Sequence, residues 1–204
     1  MEHDFVDKLA TIHNSRKRGF ALILAPRIER LPLPIQTYDD PFLPFGKAII
    51  NATRDLVSAY LFDLAAYLAL GAAGAIALER TINYAGGDSI TVLHGAFATP
   101  AYARINDEGA FNADAVTVID NHHLEAFTSR PKRGVFIIRS GEAKMMDPPG
   151  KVGIYWQEIG LLTISNKVGE AINLRVLGDS VIYASLADDF AEQARAALEK
   201  ITDE

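Results

Sequence analysis

Short continuous runs of apolar residues alternate along this chain with segments in which apolar positions recur at helical spacing. The continuous runs predict strands covered on both faces: Phe20–Ala25, Val57–Phe62, Ser89–Leu93, Ala113–Ile119 and Gly134–Ile138. The helical spacing predicts helices over Phe5–Ile12, Phe45–Leu56, Ala101–Glu108, Leu124–Thr128 and Asp188–Ile201, and over residues 63–82 with breaks at Gly71 and Gly74. This alternation is typical of a parallel α/β sheet or barrel.

Two segments depart from the alternation. The proline-rich segment Pro26–Pro44 predicts a loop, and Ser140–Lys151 is too short and too rich in proline and glycine for a crossover helix. Four closely spaced apolar runs then follow, at Val152–Trp156, Leu161–Ser165, Ile172–Leu177 and Ser180–Ser185. Parallel pairing needs a crossover of a dozen or more residues. This part of the chain therefore either loops back in hairpins or forms a barrel without its helices.

The chain has 204 residues, a formal net charge of −6 and no cysteine. This length predicts a single domain over residues 1–204. The acidic balance argues against a nucleic-acid partner, because binding to a phosphate backbone requires a concentrated positive field. The lack of cysteine excludes disulfide and thiol chemistry and agrees with a cytoplasmic protein.

One stretch, Leu61–Leu78, is long and apolar enough to be mistaken for a membrane span. Asp63 lies inside it, and a charge near the middle of a span costs about 2.5–3.5 kcal/mol. Two glycines also interrupt it. We therefore expect a buried strand and helix here, and no membrane partner.

Several different sequence motifs follow one another in a characteristic order along the chain. The chain reads RKRGFALILAPRIERLP from Arg16, ALGAAG and LERTI after the second predicted strand, and ADAVTV from Ala113. KRGVF follows from Lys132 and IYASLADDFAEQARAALEKI from Ile182. In this order the motifs resemble the orotidine 5′-phosphate decarboxylase family, in its bacterial branch with the longer chain. The resemblance implies a barrel with its site at the carboxyl ends of the strands. The predicted fold class is α/β, a degenerate or truncated TIM-type (β/α) barrel with helices missing in the third quarter.

The resemblance also implies where the family's chemistry lies, and here those positions hold other residues. The catalytic lysine after the second strand corresponds to Leu61. In the Asp-x-Lys-x-x-Asp element after the third strand, His94 replaces the first aspartate, Ala96 replaces the lysine, and the last aspartate is deleted. Removing one preorganised electrostatic group costs about 2.7–4 kcal/mol of transition-state stabilisation. Loss of several predicts that the inherited decarboxylation is absent.

Two further correspondences concern substrate binding. Ala25 stands where the family has a substrate-contacting aspartate, and Asp179 stands where it has a phosphate-binding arginine. A carboxylate in place of an arginine removes a charge-assisted hydrogen bond and repels a phosphate. The resemblance therefore predicts that nucleotide phosphates bind weakly or not at all.

Another polar set lies at the same predicted strand ends: His94, Asp120, His122 and Arg139. Histidine and carboxylate side chains that converge on one pocket can bind a metal ion or a polar small molecule. The alternative is that the loop histidines are solvated or cap the next helix, and that Arg139 is a surface residue. We assign no metal and no cofactor to this set.

Two functions from different classes follow. The first is a non-catalytic relative, a structural or regulatory dimer subunit that pairs with itself or with an active paralogue, because the resemblance implies a dimeric family. The second is a barrel enzyme with a different small-molecule chemistry built on His94, Asp120 and His122. Decarboxylation itself would require several of the correspondences above to be wrong. The sequence leaves the small-molecule ligand unknown.

Overall fold

A closed barrel of eight strands forms the centre of the molecule. The computed structural model describes residues 4–16, 19–130, 132–140 and 151–203. The strands are β1 (Phe20–Leu24), β2 (Ala59–Asp63), β3 (Ile90–Phe97), β4 (Ala115–Val118), β5 (Gly134–Arg139), β6 (Val152–Trp156), β7 (Leu161–Ser165) and β8 (Ala171–Leu177).

All neighbouring strands are parallel except β7, which runs antiparallel to both β6 and β8. β8 lies beside β1, where Phe20 pairs with Arg175 and completes the ring. The predicted TIM-type α/β barrel is therefore confirmed. Both alternatives for the third quarter are realised together, since the barrel closes and short turns connect β6, β7 and β8.

The α-helices precede or connect the first five strands, or follow β8. They are α1 (Phe5–Arg16), α2 (Phe42–Thr53), α3 (Leu64–Leu68), α4 (Gly71–Ala85), α5 (Leu124–Thr128), α6 (Asp179–Ile182) and α7 (Phe190–Asp203). Four 3₁₀ helices lie at Ile28–Arg30, Ile35–Thr37, Pro100–Asn106 and Gln157–Ile159. The helix predicted over Ala101–Glu108 is thus the third of these 3₁₀ segments.

The described stretch from 151 to 178 contains no α-helix, only the 3₁₀ segment Gln157–Ile159. In β8, Ile172 and Leu174 are buried while Asn173 and Arg175 are exposed. This is the alternation expected where one sheet face packs inward and the other meets water. The prediction that Ser140–Lys151 contains no crossover helix concerns a segment whose residues 141–150 lie outside the described part.

The last apolar run, Ser180–Ser185, was predicted to be extended, and this prediction is wrong. Residues Asp179–Ile182 form the short helix α6 instead. β8 already pairs with β1, so the closed barrel offers no free edge to a further strand. Val181 and Ile182 are fully buried in the apolar layer outside the barrel, which they reach from a helical turn.

Two boundaries also differ from the prediction. α2 begins at Phe42, inside the segment predicted as loop, because a proline in the first helical turn lacks only an N–H that has no partner there. The break in the helical stretch falls at Gly71, whose φ of +61° is left-handed. Gly74 lies within α4 and is buried. An added Cβ there would overlap the backbone of Tyr67, so this position requires a glycine.

The segment Leu61–Leu78 is divided between β2, α3 and the start of α4. None of the helices in the described part of the chain is long and apolar enough to cross a membrane.

α1 covers the amino end of the barrel. The Phe5 ring is buried and meets the Phe136 ring edge-on, with 6.0 Å between centroids. The Lys8 ammonium donates to both carboxylate oxygens of Asp114 at 2.8 Å, just before β4. An apolar plug and a partly buried ion pair therefore fasten α1 to this end and leave the opposite end to the site.

Gly134, the first residue of β5, tests this plug. An added Cβ there would overlap the Phe5 ring. Gly134→Ala should therefore lower the free energy of unfolding by about 1–3 kcal/mol through overpacking. At Gly87 an added Cβ meets no atom within 4 Å. Gly87→Ala should therefore change the free energy of unfolding by less than about 1 kcal/mol. Denaturant unfolding of both variants checks this, and equal stabilities would contradict the packing of α1.

Candidate functional site

The carboxyl ends of the seven parallel strands meet at one end of the barrel, which we call the mouth. Leu61 of β2 is fully buried in the apolar barrel interior. Ile23, Ile138 and Val176, each the penultimate residue of its strand, pack against the same interior cluster. The floor of the mouth is therefore apolar, and polar groups are confined to its rim.

His94 is a partly buried polar group at the mouth. Its Nδ1 lies 3.0 Å from the Thr117 hydroxyl, whose oxygen also accepts the backbone N–H groups of Gly95 and Ala96 at 3.2 Å each. Two accepted hydrogen bonds use both lone pairs of a hydroxyl oxygen, so Thr117 donates its own hydrogen to Nδ1. This assigns His94 as the neutral tautomer that carries its proton on Nε2. Ala96 has a φ of +48° within β3, at the point where the register with β4 shifts.

Asp63 and Tyr155 flank His94 from the adjacent strand β2 and from β6. Asp63 pairs with His94 in the β2–β3 register, and the Tyr155 ring meets the imidazole edge-on at 5.6 Å. Burial lowers the pKa of His94 below its ordinary 6.5, and the Asp63 charge opposes this effect. Burial and then the Asp63 charge raise the pKa of Tyr155. The three side chains offer a neutral N–H donor beside a carboxylate acceptor.

A second polar group, which we call the arginine clasp, lies where β1 and β8 end. Arg27 and Arg30 both donate to the same carboxylate oxygen of Asp179, at 2.6 Å each. The Arg30 guanidinium lies 4.2 Å from the centre of the Tyr183 ring. The Tyr183 hydroxyl donates to the Ala25 carbonyl at 3.1 Å. The carboxylate predicted from sequence to repel phosphate is thus neutralised by two arginines.

The loop set predicted from sequence does not assemble around His94. The Asp120 carboxylate accepts the backbone N–H of His122 at 2.8 Å, and the His122 side chain is 78% exposed. Arg139 donates to the backbone carbonyls of Ile138 and Ile119, at 3.1 and 3.5 Å. Among the described residues, no three His, Cys, Asp or Glu side chains lie close enough to hold a metal ion.

The sequence analysis missed five side chains that contribute to these groups: Arg27, Arg30, Asp63, Thr117 and Tyr155. The positions of these residues along the chain could have indicated a role at the mouth, because each lies at the carboxyl end of a strand or in the segment that follows it. Their pairing depends on strand register, which the sequence does not state.

Several curated proteins with similar sequences share the same name. The chain is 36% identical over 143 residues to the orotidine 5′-phosphate decarboxylase of Thermomicrobium roseum, covering 64% of this chain and 50% of that protein. It is 37% identical over 131 residues to the enzyme of that name from Roseiflexus sp., covering 60% and 48%. The chain is thus similar in sequence to orotidine 5′-phosphate decarboxylases. It spans about half the length of the curated relatives it matches.

Solved structures of orotidine 5′-phosphate decarboxylases share the fold. The OMP decarboxylase of Leishmania donovani superposes with a TM-score of 0.69 at 16% identity, covering 98% of this chain and 96% of that one. The Plasmodium berghei enzyme gives 0.67 at 12% identity, covering 98% of both. No protein-family profile matches the chain.

A pH series tests the environment of His94. Because burial depresses the pKa of His94 in the folded chain, the unfolded chain binds a proton at higher pH. The free energy of unfolding should therefore fall as pH drops below about 6.5, by up to about 1.4 kcal/mol per pH unit. His94→Gln should remove this part of the slope in denaturant unfolding. His122→Gln, at an exposed position, should keep it. Identical slopes in the two variants would refute the buried neutral imidazole.

Proposed function

We propose that this chain is a relative of orotidine 5′-phosphate decarboxylase that does not decarboxylate orotidine 5′-phosphate. The supporting observation is Leu61, which is fully buried in the barrel interior at the position that corresponds to the catalytic lysine. Ala96, at the position of the second lysine, contributes only a methyl group to the irregular part of β3, where the register with β4 shifts. The chain lacks the alternating charges that the family uses to stress the substrate and to protonate the product.

Two polar groups at the mouth are already engaged within the chain. Arg27 and Arg30 hold Asp179, and His94 accepts from Thr117. A catalytic site instead keeps its charged groups preorganised toward the substrate. This internal pairing supports a subunit with a structural or regulatory role. We place this subunit in the cytoplasm because the chain has no cysteine.

We further propose that the chain forms a dimer through the mouth, with a second copy or with an active paralogue. Ten large hydrophobic side chains are exposed among the described residues, and eight of them lie in the loops, 3₁₀ segments or short helices that follow the carboxyl end of a parallel strand. Three come from the segment after β1; the full set is Ile28, Leu33, Tyr38, Leu68, Tyr102, Ile119, Ile159 and Leu186. Exposed apolar residues gathered on one face mark interaction surfaces.

A second candidate function is a small-molecule chemistry at the mouth. It is supported by the neutral His94 beside Asp63 and Tyr155, with an N–H donor and a carboxylate acceptor on adjacent strands. In this candidate function the partners of His94 are Asp63 and Tyr155, in place of the Asp120 and His122 expected from the sequence. A metabolite found against His94 after purification, and lost from His94→Gln, would favour this function over the subunit role.

The first test is the decarboxylation assay. Purified protein should turn over orotidine 5′-phosphate below about a thousandth of an ordinary rate of about 10 s⁻¹. Leu61→Lys should not restore activity and should destabilise the fold by several kcal/mol, because it buries an unpaired ammonium. Leu61→Met, which conserves volume, should cost less than about 1.5 kcal/mol. A wild-type rate near that of an ordinary enzyme would disprove the proposal.

The second test is the oligomeric state. Light scattering in the micromolar range should give the mass of a dimer. Leu33→Asp places a charge in the exposed apolar face of the mouth and should shift the equilibrium toward monomer. Val168→Asp is the matched control, since Val168 is 79% exposed in the turn between β7 and β8 at the other end. A monomeric wild type, or equal effects of both substitutions, would argue against this interface.

A further inference from the structure

β3 contains a bulge near its carboxyl end. Regular pairing with β4 stops at Leu93 and resumes at Phe97, which is four residues further along β3 but only two further along β4. Residues 94–96 therefore lie opposite Thr117 alone. Within this bulge Ala96 has a φ of +48°, a backbone conformation that residues with a Cβ seldom adopt. Contacts around the bulge must hold it in this shape.

The Thr117 hydroxyl provides those contacts. Its oxygen accepts the backbone N–H groups of Gly95 and Ala96 at 3.2 Å each, and its hydrogen is donated to Nδ1 of His94 at 3.0 Å. A hydroxyl has one hydrogen and two lone pairs, so every hydrogen-bonding position of Thr117 is used. This arrangement therefore requires that Nδ1 carries no proton.

Protonation of His94 makes the arrangement impossible. An imidazolium carries a hydrogen on both ring nitrogens, so Nδ1 changes from an acceptor into a donor. Three donors then compete for the two lone pairs of Thr117. Among the described residues, the titratable groups that face the imidazole are Asp63 of β2 and Tyr155 of β6. The Asp63 carboxylate favours the imidazolium, while Thr117, on β4, carries no charge.

Two aromatic rings connect the bulge to the rim of the mouth. An added Cβ on Gly95 would overlap the Phe97 ring, so this ring lies against the backbone of the bulge. Phe97 is buried, and its ring stacks on the ring of Tyr102 with 5.3 Å between centroids. Tyr102 itself is 49% exposed. A change in the backbone of the bulge therefore acts, through Phe97, on a side chain that meets solvent.

We propose that protonation of His94 releases the β3 bulge from Thr117 and thereby makes the position of the Tyr102 ring depend on pH. A charge-assisted hydrogen bond from an imidazolium is stronger than a neutral N–H···O bond of 3.2 Å. The imidazolium therefore keeps the hydroxyl oxygen, and at least one backbone N–H of the bulge loses its acceptor. Burial lowers the pKa of His94 below 6.5, so the release belongs to more acidic solution. The switch does not depend on whether the chain decarboxylates or forms a dimer.

NMR spectra recorded from about pH 7.5 to about pH 5 test the switch in the wild-type chain. The amides of Gly95 and Ala96 and the ring of Tyr102 should shift with the same midpoint as the His94 imidazole. Hydrogen-exchange protection of at least one of the two amides should fall about tenfold, as the loss of one hydrogen bond implies. His94→Gln should abolish these changes, because glutamine does not titrate. His122→Gln, at an exposed position, is the matched control and should retain them.

Two substitutions at Thr117 separate the role of its hydroxyl from a purely structural one. Thr117→Ser keeps the hydroxyl and should keep the transition. Thr117→Val removes the hydroxyl at similar volume, so His94 should still titrate while the Gly95 and Ala96 amides lack protection throughout the pH range. If Thr117→Val does not fold, the wild type, Thr117→Ser and His94→Gln still decide. Bulge amides that stay protected while the His94 ring titrates, or a transition that persists in His94→Gln, would overturn the proposal.

Discussion

Closure of the eight-stranded sheet is the constraint on which the rest of the structure depends. Alternate residues of every strand must fill the barrel, whatever lies outside it. Where helices cover the outside, a strand is apolar on both faces, as in Ala59–Phe62 of β2. Where the described stretch has no helical cover, as along β8, the outward positions Asn173 and Arg175 are polar. The barrel therefore closes with one antiparallel strand and without the full ring of helices.

The same constraint bears on chemistry at the mouth. The inward position at Leu61 belongs to the packed interior, so a leucine there adds to the core about 1.5–3 kcal/mol of apolar burial. Polar groups remain only where strands end, and there they pair within the chain. His94 accepts a hydrogen bond from Thr117, and Asp179 binds both arginines of the clasp. Part of the polar surface of the mouth is thus engaged by the chain's own residues.

The sequence predicted β1 to β8 and the terminal helix because each continuous or helical pattern reflects local burial. It failed at Ser180–Ser185, where an apolar run reads alike as strand or helix, and only the closed barrel decides. The site was predicted less well. His94, Asp120 and His122 follow neighbouring strands, yet the turn from Asp120 directs His122 into solvent. Pairing at strand ends depends on register and turn geometry, which local patterns do not encode.

Different contacts hold the two ends of the barrel, so the scaffold can be stable without a charged side chain at position 61. The amino end is fastened by the Phe5 ring on Phe136 and by the ion pair of Lys8 with Asp114. None of these contacts involves a residue of the mouth. Buried charges are costly to keep, and their replacement by packed apolar groups is often neutral or stabilising. A packed leucine at position 61 is therefore compatible with a stable barrel, and the proposed interface at the rim makes no demand on the amino end.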